Sequence, residues 1–384
     1  MGSAHATVLM VLASREASET FIAREIAALQ KRGYPLLVAS LDDLPQCTMR
    51  NAQCTMILLR RVTQELLAFA PRNALRIWRH RNKIVALVEL ARETNAARLH
   101  AQFAWVAADV VGIAASVLKI PWACSVHAWD VFTRPTPELR RRLRGAEFII
   151  ACNQRARDAV ASAVTCHAHL VRHGVSTSVD ECRPPSTSVD RCRQTSPTLL
   201  AIGRLVPKKG FDTLLVALSQ TRHKHARLIL IGDGPERGKL LRLATTLNLT
   251  SRATFLWQLP HDATMRELSR ATLLALPSRR TRDNDSDGFA NVLTEAMLCG
   301  VPIITTTAAG AEELLTDNES ALIIPPGDPA QLASAIDRLL SDPALRQRLA
   351  DNARRVLETR LNEDVEINKT AGLLFPRRFV ECFF

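Results

Sequence analysis

Short apolar runs recur along this chain, each followed by a stretch of helical periodicity, and that alternation leaves few folds open. Thr7–Ala13, Leu36–Leu41, Leu99–Gln102, Trp122–His127 and Phe148–Ala151 read as buried strands. Phe21, Ile22, Ile26 and Leu29 mark a helix between the first two, with Ser18 as its N-cap and Gly33 near its end. Residues 57–93 are helical and basic, with Pro71 separating two segments. Alternation of this kind implies a parallel sheet covered by helices on both faces.

The pattern fails between His173 and Pro197. Two copies of STSVD[ER]CR, Ser176–Arg183 and Ser186–Arg193, flank Pro184 and Pro185, and this Ser/Thr/Pro-rich tract reads as a linker. Alternation restarts at Thr198–Ile202 and continues through Leu228–Ile231, Thr254–Leu256, Thr272–Leu276, Val301–Thr305 and Ala321–Ile324. The expected fold is α/β, with two doubly wound, Rossmann-like parallel-sheet domains facing a cleft. Residues 1–175 form the first domain, 176–197 the linker, 198–358 the second domain and 359–384 a tail. Open parallel sheets bind ligands beyond the carboxyl ends of their strands, so the chemistry is sought there.

In the second domain GRLVPKKG (Gly203–Gly210) follows the first strand and places Arg204 and Lys209 at the mouth of the sheet. Gly232-Asp233-Gly234-Pro235 follows the next strand in the same way. Neither is GxGxxG, and no GxxxxGK[ST] is present, which argues against a dinucleotide fold and a P-loop hydrolase. The longest polar tract at a strand end is Ser278–Asp287, too polar for a core. Beyond it Phe289, Val292, Leu293, Ala296 and Met297 fall on one helical face, and Gly300 stops the helix. Gly288 and the next backbone N–H groups are thereby delivered to a helix N-terminus, an anion site. A carboxylate there repels an anion, so Asp287 is expected to face hydroxyls, and an anion bearing hydroxyls describes a sugar phosphate. The alternative is an N-capping Asp287 with Glu295 on the solvated face. Two cations and a helix N-terminus converging on one cleft suit a diphosphate. In the first domain His127 ends a strand and the Ser14–Thr20 loop leaves the same edge, so together they are candidates for an acceptor side.

Composition narrows the class. No apolar run approaches a membrane span; Ala104–Leu118 is broken by Asp109 and reads as a buried helix. No secretory signal is read at the N-terminus, and nine cysteines lack metal-ligand spacing, so a reduced cytoplasmic setting is expected. Of the net +12, +10 lies in residues 1–195, with 26 Lys+Arg against 16 Asp+Glu. That field suits anionic membrane or phosphorylated substrates. Nucleic acid is disfavoured, because the arginine runs lack interleaved aromatics.

GRLVPKKG, IGDGP and DGFANVLTEAMLCGVPIITT resemble the donor half of the retaining glycosyltransferases of family four, which have the GT-B fold. SETFIAREI, HAQFAW and SVHAWDVF resemble the first domain of its bacterial exopolysaccharide branch, of colanic-acid type. The resemblance covers residues 7–358 in order. It implies that Arg204 and Lys209 hold the diphosphate of a nucleotide-sugar, and that the backbone of Gly288, Phe289, Ala290 and Asn291 contacts phosphate and sugar. It further implies that Asp287 binds the sugar's hydroxyls, Glu295 the ribose, and that His127 lines the reacting centre. Ser18, Glu19 and Thr20 fall on the acceptor side, where a glycan or lipid-linked glycan is expected at the inner face of the cytoplasmic membrane. No cofactor or metal is expected, so the Asp283–Asp287 tract is not read as a metal motif. Three departures stand out: Asp287 replaces the commoner Glu, Trp257 replaces a glycine, and the terminal RRFVECFF matches nothing in the family. The rival readings are a nucleotide-sugar epimerase and a non-enzymatic binding or scaffold paralogue.

Overall fold

The computed structural model describes residues 7–12, 20–44, 52–69, 74–174, 196–283, 285–287 and 289–375. The chain divides into two compact units, Met1–Gly174 with Glu363–Phe384, and Val175–Asn362. The duplicated copies at 176–193 and the terminal RRFVECFF lie outside the described residues.

The first unit holds β1 (Thr7–Leu12), β2 (Leu36–Ser40), β3 (Ala96–Gln102), β4 (Trp122–Val126), β5 (Phe148–Ala151) and β6 (His167–Leu170). They form one parallel sheet in the order β2-β1-β3-β4-β5-β6. The period of two divides each strand between two cores. Leu9, Val11, Leu99, Ala101, Cys124 and Ile149 pack into one, with the helices Arg81–Glu93 and Val106–Leu118. Val8, Met10, Ala123, Phe148 and Ile150 pack into the other, with Leu29 of α1 (Thr20–Lys31). The C-terminal helix Glu363–Leu374 seals this second face through Ile367, Ala371 and Leu374. Its Glu366 accepts the Arg172 backbone N–H at 2.8 Å, and its last carbonyls, at Leu373 and Leu374, accept from Arg98 at 2.7 and 3.1 Å.

The second unit repeats the plan with β7 (Thr198–Ile202), β8 (Arg227–Ile231), β9 (Ala253–Leu256), β10 (Leu273–Leu276), β11 (Ile303–Thr306) and β12 (Leu322–Ile324). All pairs are parallel, in the order β12-β11-β10-β7-β8-β9. Leu199, Ala201, Leu228, Leu230 and Leu273 face one core, and Leu200, Leu274, Leu276 and Ile303 the other. Eleven of the twelve strands coincide with the apolar runs to within a few residues; β6 is the addition.

Candidate functional site

The loops leaving β7, β8 and β10 are pressed together at the carboxyl edge of the second sheet, and missing Cβ atoms make this possible. A Cβ on Gly232 would lie 2.0 Å from the Gly203 carbonyl oxygen, and one on Gly234 2.6 Å from that of Leu205. Gly210, at φ +65°, lies so close to the Pro277 carbonyl that its Cβ would stand 2.0 Å from the oxygen. This glycine closes the short turn Pro207–Lys209 and opens the helix Phe211–Gln220. It therefore locks the lysine turn against the end of β10.

Both lysines of that turn meet the acidic loop. Lys209 Nζ donates to Asp287 Oδ2 at 2.7 Å, and its stem passes over Gly203. Lys208 Nζ lies 2.9 Å from Asp285 and 3.6 Å from Asp287. Ser278 Oγ donates to Asp287 Oδ2 at 2.9 Å. The Lys208, Lys209 and Asp287 side chains are only 7%, 12% and 10% exposed. Burial alone would raise the Asp287 pKa, but the two lysine charges and the hydrogen bonds from Lys209 and Ser278 outweigh it and hold the carboxyl below its ordinary value. Arg279 straps the loop down from outside, its backbone N–H reaching the Lys208 carbonyl at 2.7 Å and its guanidinium Asp212 at 3.0 Å.

These contacts amend the sequence reading at three points. The Ser278–Asp287 tract is not wholly solvated: Ser278 and Ser286 are fully buried, because Arg279 and Lys208 draw the loop onto the turn. The helix begins at Asn291 rather than near Gly288, with extended Ala290 (φ −78°, ψ 121°) as its N-cap. Phe289 packs against the core ahead of the helix, and Gly288 lies outside the described residues. Asp287, expected to face hydroxyls, has an oxygen on each lysine and so neutralises the cations beside it.

Arg204 is exposed on the loop after β7. Glu295 lies in the second turn of the helix Asn291–Leu298, 13% exposed, with His261 Nδ1 4.0 Å away at the start of the helix His261–Arg270. Trp257 follows β9 and carries the Arg237 guanidinium 3.3 Å from its ring centroid. Lys208, Asp285 and His261 were not anticipated. Lys208 stands beside Lys209 in GRLVPKKG, and only the fold of the loop tells that both face inward.

In the first unit, His127 directly follows β4 and is buried. Its backbone N–H donates to Asp130 Oδ2 at 3.1 Å, and the same oxygen accepts from Ala104 N at 3.0 Å, tying the loops after β3 and β4 together. The His127 ring packs against Phe103, at 4.4 Å between centroids, and stacks on His173 at 5.5 Å. Burial first, then His173 and His100, hold the His127 pKa well below its ordinary value, and burial brings His173 to about 4. Both imidazoles are neutral at physiological pH. Thr20 opens α1, while Ser18 and Glu19 lie outside the described residues.

Two parallel doubly wound sheets, one carrying a paired-lysine turn and a helix that bears the partly buried Glu295, have the fold of GT-B type. Residues 188–356 match the family described as glycosyl transferases group 1, so the second unit carries a group 1 glycosyltransferase domain. The alpha-D-kanosaminyltransferase of Streptomyces kanamyceticus is 27% identical over 243 residues, which cover 60% of this chain and 61% of that one. The lipopolysaccharide core biosynthesis glycosyltransferase LpsE of Rhizobium meliloti is 32% identical over 163 residues, 42% of this chain and 45% of its own. The chain thus matches about half the length of these relatives. Among solved structures, Anabaena HepE in complex with UDP and glucose shares the fold at a TM-score of 0.74 and 19% identity, covering 97% of this chain and 100% of that one. No helix among the described residues is long and apolar enough to cross a membrane.

Proposed function

We propose that this chain is a retaining glycosyltransferase that moves a sugar from a nucleotide-sugar to a glycan or lipid-linked glycan during polysaccharide assembly. The observation that carries the reading is the Lys208–Lys209–Asp287 cluster at the mouth of a group 1 glycosyltransferase sheet. An arriving diphosphate draws the lysines, with exposed Arg204 adding charge from the same loop. Asp287, released from part of its pairing, then accepts hydrogen bonds from the sugar's hydroxyls. The first N–H groups of the helix Asn291–Leu298 face the same edge and favour negative charge on the departing diphosphate. Glu295 is assigned to the ribose. In the first unit His127, neutral at physiological pH, is assigned to the transferred sugar, and the segment opening at Thr20 to the acceptor.

The relatives named for lipopolysaccharide core synthesis and the complex of HepE with UDP and glucose support an activated sugar as donor. The basic first half supports work at an anionic inner membrane face, since each cation near such a surface is worth about 1 kcal/mol. Reaction of the full chain with UDP-, GDP- and ADP-sugars tests the proposal. One donor at about 100 times its Kd is expected to add about 2.7 kcal/mol of stability, and the product is expected to keep the donor's anomeric configuration. Failure of every nucleotide-sugar to raise Tm overturns donor binding, and an inverted product overturns retention. Conversion of donor alone favours an epimerase. Flotation with anionic vesicles at low salt tests the membrane contact, which an unbound chain refutes.

A further inference from the structure

Three adjacent strands of the first sheet each end in a metal-ligating side chain. Register aligns Val126 with Ala151, and Ala151 with Leu170, so the carboxyl ends of β4, β5 and β6 lie level. One residue past β4 stands His127, and one past β5 stands Cys152. Three past β6 stands His173, whose ring stacks on that of His127 with 15° between planes. One ring nitrogen of each histidine and the Cys152 sulfur all lie within 4.8 Å of one another. No other such trio occurs among the described residues.

We infer that His127, Cys152 and His173 form a binding site for a zinc-class cation, and that its occupation withdraws His127 from sugar transfer. Two imidazoles and a thiolate are the donor set that borderline and soft first-row ions select over magnesium or calcium, which take oxygen. Zinc–ligand bonds of about 2.0–2.3 Å require the three atoms to close by roughly 1 Å. Each ligand stands just beyond a strand end rather than within the ladder, so the closure asks for side-chain movement and no break in strand pairing. Neighbouring groups are placed to orient the ligands: Asn153 Nδ2 donates to Cys152 Sγ at 3.4 Å, and Gln102 Oε1 lies 3.4 Å from His127 Nε2. Three protein ligands leave the fourth tetrahedral position for water or substrate. The second half of the inference rests on the proposed role of His127; the first half does not.

Cobalt(II) titrated into the metal-free full chain tests the site without reference to activity. One equivalent is expected to give tetrahedral visible bands and a sulfur-to-metal charge-transfer band, both displaced by zinc. Cys152→Ser should abolish the charge-transfer band and weaken zinc binding by more than about tenfold, the loss expected from even an outer partner. His173→Ala serves as the second variant and should weaken zinc to a similar extent while retaining the sulfur band at higher cobalt. No charge-transfer band in wild type, or zinc affinity in both variants equal to that of wild type, overturns the site. Under turnover, zinc should inhibit wild type reversibly and Cys152→Ser at least about tenfold less sensitively, with basal activity unchanged in that variant. Zinc bound without inhibition overturns the withdrawal of His127 while leaving the site standing. Absence of any glycosyl transfer overturns the proposed function alone, because the cobalt spectrum is read independently.

Discussion

Asp287→Asn separates the two roles that the site gives this carboxyl. The substitution keeps volume and an oxygen for Ser278 but deletes the charge between Lys208 and Lys209. Among the described residues, the two ammonium groups then retain Asp285, 2.9 Å from Lys208, as their carboxylate partner. Removing one partner of a buried pair costs about 3–5 kcal/mol. The second unit spans Val175–Asn362, and at that size each kcal/mol moves Tm by about 2–4 °C, so the expected loss is roughly 6–20 °C. The sign for the ligand is opposite. A unit charge 4 Å from a phosphate is worth about 4 kcal/mol at an effective dielectric of 20. UDP or GDP should therefore bind at least about tenfold tighter, a gain of about 1.4 kcal/mol, while sugar transfer falls. Calorimetric titration and thermal unfolding of the same preparations read both. Lys209→Met combined with Asp287→Asn should recover part of the stability, with a coupling of about 0.5–3 kcal/mol. Weaker nucleotide binding at an unchanged Tm would refute the reasoning, since the carboxyl would then be contacting the ligand instead of restraining the lysines.

Gly210→Ala places a Cβ 2.0 Å from the Pro277 oxygen at φ +65°. The left-handed backbone alone costs about 1–2 kcal/mol, so a loss above 2 is expected in urea unfolding of the second unit; a smaller one means the lysine turn is not locked. Glu295→Gln should leave Tm unchanged but weaken the nucleotide roughly tenfold or more, as a charged hydrogen bond of about 1.5–3 kcal/mol becomes neutral. Equal affinity in titration removes Glu295 from the ribose. Burial, aided by Arg98, pushes the His100 pKa down to about 3, against about 6.5 unfolded. Its contribution is thus fully present above pH 6.5 and lost as pH falls towards 3, by about 1.4 kcal/mol per unit and about 2 by pH 5. Tryptophan emission follows mainly the first unit, which holds Trp78, Trp105, Trp122 and Trp129 against Trp257 in the second. His100→Gln should flatten the acid slope of the urea midpoint, and an unaltered slope would sink the argument.

What the residues reveal unaided depends on how far apart the partners lie. Strands buried on both faces, such as Leu9–Val11 or Leu273–Leu276, are continuous apolar runs flanked by helical periodicity, so a local pattern suffices to read them. The boundary at Ala290 is not local in that sense. Phe289 and Ala290 pack against the core before the helix starts, and apolar residues ahead of a helix look like its first turn. Lys208 meets Asp285 across 77 residues, so nothing in the polar run Ser278–Asp287 announces that Ser278 and Ser286 are buried.

The edge strand β6 carries the largest consequence. His167–Leu170 alternates histidine with Ala and Leu, and every residue of it is exposed or half-buried, because an edge strand has one neighbour and one open side. Such a run lacks the apolar continuity of the inner strands and reads as the start of a linker. With β6 unread, His173 has no position in the sheet and appears to belong to the Ser/Thr/Pro tract that follows it. Cys152 in turn appears as one of nine scattered cysteines without a spacing motif. Only the parallel register β4–β5–β6 makes His127, Cys152 and His173 neighbours, although 46 residues separate the first from the last. Spacing motifs detect ligands that share a helix or a turn; ligands supplied one per strand leave no spacing to detect. In doubly wound folds such sites are therefore to be sought in the register of the strand ends.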